Sequence, residues 1–265
     1  MSWRSHPLDA VFANLTKTDI DQSIARLVKH IEESQILMLS GGFSAGDEPD
    51  GSGKFITSVL MNEQVRESVE KLLERDGLIL GICNGFQALI KSGLLPYGEF
   101  GKVTTDSPTL FLNNSNRHMS KIAQTRIAST KSPWLSQVNV GDLHQVAISH
   151  GEGRFVANDA MIAKLIENGQ IATQYVNPQG KPTLDDIYNP NGSTLAVEGI
   201  TSPDGRIFGK MGHSERAGDQ IFKNVPGDYN QKIFASGVEY FTGKAQNENR
   251  RFNPKEIRID TNVTA

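Results

Sequence analysis

The chain has 265 residues, which is enough for one large α/β domain or two small ones. Its 27 lysine and arginine residues against 30 aspartate and glutamate residues give a net charge of −3, so no positive excess is present to attract nucleic acid or an anionic membrane. A hydrophobic content of 37% with 22% charged residues is typical of a globular protein rather than a disordered one. The composition therefore favours a globular protein with neither nucleic acid nor a membrane as partner.

The chain has a single cysteine, Cys83, which excludes an intramolecular disulfide and a cysteine-rich zinc site. A lone thiol suits a reducing compartment. The N-terminal residues have no apolar signal-peptide core, and no run of ~18 apolar residues occurs anywhere in the chain. We therefore expect a cytoplasmic protein.

The N-terminal part of the sequence alternates between helix and strand patterns. Apolar residues recur at helical spacing from Ile20 to Ile31, and Thr18 and Asp21 have the spacing of a capping box. The elements that follow are a strand at 35–40, a helix at 65–73, a strand at 78–82 and a helix at 85–91. This alternation predicts a parallel sheet that is covered by helices.

Strand patterns dominate beyond residue 100. They occur at 103–112, at 121–128 and in a hairpin formed by 195–200 and 206–211. The last stretch is polar with isolated apolar residues. The sequence thus predicts an α/β domain over residues 1–242, with a mostly parallel sheet and additional antiparallel strands, and a polar C-terminal tail over 243–265.

The sharpest local signal is the pentapeptide Gly81-Ile82-Cys83-Asn84-Gly85, between a predicted strand and a predicted helix. It has the form of a nucleophile elbow with cysteine in place of serine, and its small flanking residues suit a tight turn. At a helix N-terminus the backbone N–H groups favour the thiolate, and the N–H of Asn84 faces the place where an oxyanion forms. A small buried core residue is the alternative interpretation of a lone cysteine after a strand.

A nucleophilic thiolate needs a histidine to transfer protons and usually a third group to orient that histidine. Two of the six histidines have a carboxylate two residues later, His150 with Glu152 and His213 with Glu215. Residues i and i+2 share a face in an extended chain, so either pair could place a carboxylate against the imidazole. The spacing leaves both dyads open.

The glycine-rich segment 41–55 fits neither a phosphate-binding loop nor a calcium loop. A Walker A loop requires glycine where this chain has Glu48, and serine or threonine where it has Phe55. The acidic residues of the segment lack the alternation that a calcium loop needs. The remaining role for Gly41-Gly42 is a turn that presents a second N–H beside the elbow, and we predict no metal site.

Several motifs together resemble those of class I glutamine amidotransferases, which have a Cys-His-Glu triad, and more narrowly the glutaminase domain of phosphoribosylformylglycinamidine synthase. The matching segments lie in family order over roughly residues 11–241. They are GGFSAGDEPDGSGKF (41–55), GICNGFQALIKSGLLPYGE (81–99), ISHGEGRF (148–155), QYVN (174–177), NPNGS (189–193) and VEGITSPDGRIFGKMGHSER (197–216). The resemblance implies a flavodoxin-like α/β fold and an enzyme that releases ammonia from glutamine.

Site roles follow from the resemblance position by position. It implies that Cys83 is the nucleophile, that His213 is the general base and acid, and that Glu215 orients His213. It also implies an oxyanion hole made by backbone N–H groups of Asn84 and of the turn Gly41-Gly42-Phe43. Further candidates for holding glutamine are Gln87, Asn113, Asn114 and Ser115. A last group, His150, Glu152 and Arg154, matches a family motif to which we assign no chemical role from the sequence.

The resemblance also implies a synthetase region as partner, in cis or in trans. That region would use ATP and magnesium to convert formylglycinamide ribonucleotide to formylglycinamidine ribonucleotide in purine biosynthesis, whereas this chain itself needs no cofactor. Residues 11–14 resemble the second strand of the family, so we expect the first strand and helix to be absent and the chain alone to be a feeble glutaminase. Two alternatives remain, a Cys-His hydrolase that acts on peptides or small amides and a non-catalytic regulatory fragment.

Overall fold

The structure is a computed structural model that describes residues 16–42, 52–218 and 221–243. The helices of these residues are α1 (Lys17–Glu33), α2 (Lys54–Leu60), α3 (Glu63–Glu74), α4 (Asn84–Ser92), α5 (Leu94–Tyr97), α6 (Asp159–Glu167) and α7 (Ile233–Phe241). The strands are β1 (Ile36–Leu39), β2 (Leu78–Ile82), β3 (Thr109–Leu112), β4 (Met119–Ile127), β5 (Leu143–His150), β6 (Glu152–Val156), β7 (Ile171–Tyr175), β8 (Val197–Thr201) and β9 (Ile207–Lys210). The predicted strand at 11–14, Phe43 and tail residues 244–265 lie outside the described residues.

The main sheet has the strand order β1-β2-β9-β8-β7-β4-β5, and β3 pairs with β6 in a small second sheet. The predicted α/β class, with a parallel part and additional antiparallel strands, is confirmed. The parallel part is smaller than the predicted mostly parallel sheet, because only the β1–β2 and β2–β9 pairs are parallel among the described strands. Strands β8 and β9 follow each other through a short turn, and such a connection can only join antiparallel neighbours.

The N-cap of helix α1 lies two residues before the predicted cap. The capping box is formed by Thr16 and Asp19 rather than by Thr18 and Asp21, which lie inside the helix. The Thr16 side chain accepts the Asp19 N–H at 3.3 Å, and the Asp19 carboxylate accepts the Thr16 N–H at 2.8 Å. At the other end Arg75 donates to the carbonyl oxygens of Ile31 and Ser34 at 2.5 and 2.8 Å. Both ends of the helix therefore have partners for their open backbone groups.

The central strands form the core of the molecule. All residues of β2, β7, β8 and β9 are buried. The predicted strand at 103–112 is confirmed only from Thr109 onward. The elements that were not predicted are α2, α5, β5, β6, β7, α6 and α7. Within the described residues no helix combines the length and apolar character that a bilayer span requires.

Two glycines let α4 approach the ends of β1 and β2. A Cβ atom at Gly85 would collide with the carbonyl oxygen of Leu39, and one at Gly81 would lie 2.8 Å from the carbonyl oxygen of Gly85. At these two positions the backbone of the helix therefore lies directly against the backbone of the strands. This close approach fixes where Cys83 stands between β2 and α4.

We predict that Gly85→Ala destabilises the fold by about 1–3 kcal/mol, because the added methyl group meets a backbone atom that cannot rotate away. Gly151→Ala is the matched control, since a Cβ atom there meets open space and its effect should stay within about 0.5 kcal/mol. Urea unfolding of both variants measures the difference. Equal stability of the two variants would show that α4 does not pack in this way.

Candidate active site

Cys83 lies at the sharp turn between β2 and α4. Its backbone has φ 52° and ψ −106°, a conformation that a residue with a side chain rarely adopts. Its N–H donates to the Lys210 carbonyl oxygen in β9 at 2.8 Å, and its own carbonyl oxygen accepts the Gln87 N–H at 3.1 Å. The predicted strand-turn-helix elbow is confirmed, and it is held by hydrogen bonds on both sides of the strained residue.

Burial, rather than the helix end, dominates the chemistry of the thiol. Only 6% of Cys83 is exposed, and burial raises the pKa of its thiol to about 11. The backbone N–H groups of Asn84 and Gly42 donate to the sulfur and lower the pKa, but they do not compensate for the lost hydration. The expectation of a favoured thiolate is therefore wrong for the resting protein, in which the thiol is neutral.

His213 and Glu215 form a close pair at the end of β9. The Nδ1 atom of His213 is 2.5 Å from Oε1 of Glu215, and the His213 N–H donates to the Ala147 carbonyl oxygen in β5 at 2.8 Å. Burial alone would raise the pKa of Glu215, but the hydrogen bond and charge of His213 hold it below its ordinary value. The carboxylate is thus ionised, as a group that orients and supports an imidazolium must be.

Gly41 brings the histidine and the cysteine together. A Cβ atom at Gly41 would lie 2.6 Å from Cε1 of His213 and 3.0 Å from Cβ of Cys83, so both side chains flank the same glycine. The thiol makes a long hydrogen bond of 3.9 Å to the Ser149 carbonyl oxygen. The Nε2 atom of His213 is buried and has no hydrogen-bond partner among the described residues. The imidazole therefore has one nitrogen held by Glu215 and one free to exchange a proton.

The second candidate dyad does not form. The Nδ1 atom of His150 lies 3.1 Å from Oδ1 of Asn113, whereas the carboxylate of Glu152 accepts the Ser52 N–H at 2.9 Å. Burial, with smaller effects from His118 and His213, lowers the pKa of His150 to about 4. His150 is therefore a neutral histidine without a carboxylate partner among the described residues, and the structure favours the pair His213–Glu215.

The remaining predicted residues lie in α4, for Gln87, and in the loop after β3, for Asn113, Asn114 and Ser115, and their side chains have protein partners. Gln87 donates to the Glu152 carbonyl oxygen at 2.5 Å, and Asn113 donates to the carbonyl oxygens of Arg117 and His150 at 2.9 and 2.8 Å. Asn114 accepts from Arg154 at 2.7 Å, and the exposed Ser115 makes a 3.5 Å contact to the Arg117 carbonyl oxygen. These contacts tie the loops together. A role for the four side chains in holding glutamine stays a prediction.

Sequence reasoning missed a buried ion pair beneath His213, formed by Lys210 and Glu198. The signal was a lysine at the end of the otherwise apolar strand segment Ile207–Lys210, a residue type that is rarely buried unless it is paired. In the part of the chain that the structure describes, no group of three or more His, Cys, Asp or Glu side chains could hold a metal ion.

Comparison with known proteins identifies the family. Residues 6–241 match the CobB/CobQ-like glutamine amidotransferase domain. The chain belongs to this family of glutamine amidotransferases. It is an enzyme by that membership, and the resemblance found in the sequence is confirmed.

Two curated relatives of this amidotransferase carry the name phosphoribosylformylglycinamidine synthase subunit PurQ. The protein of Gloeobacter violaceus is 32% identical over 234 residues, which cover 87% of this chain and 91% of the relative. The protein of Thermomicrobium roseum is 35% identical over 200 residues, 76% of each chain. A solved structure, PurLQS from Thermotoga maritima, has a TM-score of 0.59 at 26% identity and covers 82% of this amidotransferase and 92% of that chain.

We predict that the reaction of folded Cys83 with iodoacetamide accelerates with pH up to at least about pH 10, without a plateau, because its pKa is raised to about 11. The same chain unfolded in urea is the control, since its exposed thiol should level off above its ordinary pKa of about 8.5. Mass spectrometry of the alkylated protein measures both rates. A plateau near neutral pH in the folded protein would mean that the N–H groups outweigh burial.

Proposed function

We propose that this chain is the glutaminase component of a phosphoribosylformylglycinamidine synthase and releases ammonia from glutamine through a thioester on Cys83. The relatives that cover most of the chain are named as the PurQ subunit of that synthase. The observation that carries the chemical part of the proposal is the cysteine elbow beside the His213–Glu215 pair.

The first half of the reaction forms the thioester. Because the resting thiol is neutral, its proton passes to Nε2 of His213 as the sulfur attacks the side-chain amide carbon of glutamine. The backbone N–H groups of Asn84 and Gly42, which donate to the sulfur, lie where they can stabilise the negative oxygen of the tetrahedral intermediate. The imidazolium then gives its proton to the leaving nitrogen, the C–N bond breaks, and ammonia departs.

The second half hydrolyses the thioester. His213 takes a proton from water, the hydroxide attacks the thioester carbon, and the same N–H groups stabilise the second oxyanion. The C–S bond breaks, the sulfur recovers the proton from His213, and glutamate leaves. Throughout this cycle the ionised Glu215 supports the positive charge on His213 and fixes its Nδ1–H tautomer.

The proposal includes a synthetase partner that consumes the ammonia. The relatives are subunits by name, and the solved relative is called PurLQS, which supports an assembly rather than a lone hydrolase. In that assembly the partner would hold ATP and magnesium and make formylglycinamidine ribonucleotide from formylglycinamide ribonucleotide. This chain supplies only the glutamine site.

We predict that 6-diazo-5-oxonorleucine, an electrophilic analogue of glutamine, adds one label to the folded chain, on Cys83, because no other thiol competes. Peptide mass spectrometry locates the label, excess glutamine should slow its addition, and Cys83→Ala should remain unlabelled. Labelling by a peptide chloromethylketone that glutamine does not slow would support a Cys-His hydrolase instead. No label from either reagent would support a non-catalytic fragment.

We predict that His213→Ala lowers ammonia release by more than about 10⁴-fold, because it removes both the proton acceptor and the activation of the thiol. His150→Ala is the matched control, since His150 is equally buried near the site but its Nδ1 atom bonds to an amide rather than a carboxylate. Steady-state glutaminase assays with added synthetase partner compare the variants. An inactive His150 variant beside a nearly normal His213 variant would reverse the assignment.

A further inference from the structure

A buried ion pair lies directly beneath the His213 turn, which we define as residues 212–215. Lys210 ends β9 and Glu198 lies on the neighbouring strand β8. The Lys210 Nζ atom is 3.1 Å from Oε1 of Glu198, and both side chains are fully buried. Removing two charges from water is unfavourable, so a pair in this position needs strong compensating contacts.

Each polar atom of the pair has a partner. Lys210 uses its three donors on Glu198, on the Gly212 carbonyl oxygen at 3.0 Å and on the Ser214 hydroxyl at 2.8 Å. Glu198 accepts the Gly212 N–H at 2.6 Å with Oε1 and the Thr173 hydroxyl at 2.5 Å with Oε2. Most hydrogen bonds of the two charged groups are therefore made to the His213 turn, namely to the backbone of Gly212 and the side chain of Ser214.

These contacts bracket His213. The pair binds both the N–H and the carbonyl of Gly212, the residue before His213, and the hydroxyl of Ser214, the residue after it. Gly212 has no room for a side chain, because a Cβ atom there would lie 2.6 Å from Val146 and 2.8 Å from Oε1 of Glu198. The backbone on each side of the histidine is thereby fixed in one place.

Lys210 also reaches the nucleophile. Its carbonyl oxygen accepts the N–H of Cys83 at 2.8 Å, while its ammonium group holds the His213 turn. One residue thus contacts the backbone of the cysteine and the backbone beside the histidine. The position of Lys210 therefore bears on both side chains at once.

We propose that Lys210 and Glu198 are positioning residues that hold His213 in register with Cys83 and Glu215. The inference rests on the proposed function, because it assigns the pair a task in that reaction. Neither side chain touches the substrate, so the pair acts through the turn. An apolar pair of similar size could fill the same space but could not donate to Gly212 and Ser214.

The test replaces the pair with a neutral one of the same shape, Lys210→Met together with Glu198→Gln. Glutamine keeps an acceptor for the Gly212 N–H and leaves no buried charge, so the fold should survive with a lower thermal midpoint. We expect kcat for glutamine hydrolysis to fall by about 10–100-fold, while KM changes less than about 3-fold. Losses of this size are typical when a residue that only orients a reacting side chain is removed.

A second readout does not depend on turnover. The Nδ1 proton of His213, in its 2.5 Å contact with Glu215, should give a downfield proton NMR resonance in the parent chain. We expect this resonance to broaden or shift in the double variant. Ser132→Ala is the control, because it removes a buried hydrogen bond to Gly205 in the turn between β8 and β9, at the end of β9 opposite the His213 turn, and should lower the thermal midpoint without altering kcat or the resonance.

The outcomes separate the two proposals. A folded double variant with parental kcat, or with only a raised KM, would overturn the positioning role. If the double variant does not fold, Ser214→Ala removes one Lys210 contact and leaves the ion pair with Glu198 intact. A parental kcat and a parental resonance in that variant would also overturn the positioning role. If the parent chain neither hydrolyses glutamine nor reacts with its diazo-ketone analogue, the proposed function is refuted. In that case the His213 Nδ1 proton resonance, compared between parent and double variant, still shows whether the ion pair positions His213.

Discussion

The arrangement of the site depends on the hydrogen bond from the Cys83 N–H to the Lys210 carbonyl oxygen. Cys83 has a backbone conformation that is unfavourable for a residue with a side chain, and it persists only when its surroundings hold it there. The bond ties the elbow to β9, the strand that continues into the turn bearing His213. Nucleophile and histidine are 130 residues apart in the sequence, but they are joined through one strand of the sheet.

Glycines make this junction possible. Gly81 and Gly85 let α4 pack against the ends of β1 and β2, Gly41 leaves room for His213 beside Cys83, and Gly212 lets the buried carboxylate of Glu198 reach the backbone. At each of these four positions a methyl group would collide with a backbone or side-chain atom. The site is therefore built by close backbone packing, which gives its geometry little freedom to adjust.

Burial sets the resting protonation states. The thiol loses its hydration and stays neutral, whereas Glu215 keeps its charge because His213 is hydrogen-bonded to it. A neutral thiol lies beside an imidazole whose Nε2 atom has no hydrogen-bond partner in the part of the chain that the structure describes. This arrangement suits a reaction in which the proton moves as the substrate binds and is attacked. In the absence of substrate such a cysteine is also protected from random alkylation and oxidation, since both require the thiolate.

The sequence by itself determined the α/β class, the position of β2 and α4, and Cys83 as the candidate nucleophile, because these depend on local patterns of apolar residues and glycines. Residue spacing alone did not decide whether His150 or His213 is the catalytic base, and only the resemblance to the family favoured His213. The tertiary structure distinguishes the two histidines. The ring of His150 is hydrogen-bonded to Asn113, 37 residues earlier, and the carboxylate of Glu152 accepts a hydrogen bond from Ser52, 100 residues earlier. The pKa of Cys83 and the ion pair Lys210–Glu198 were likewise decided by the tertiary structure, since both depend on which groups are shielded from water and which distant strands become neighbours.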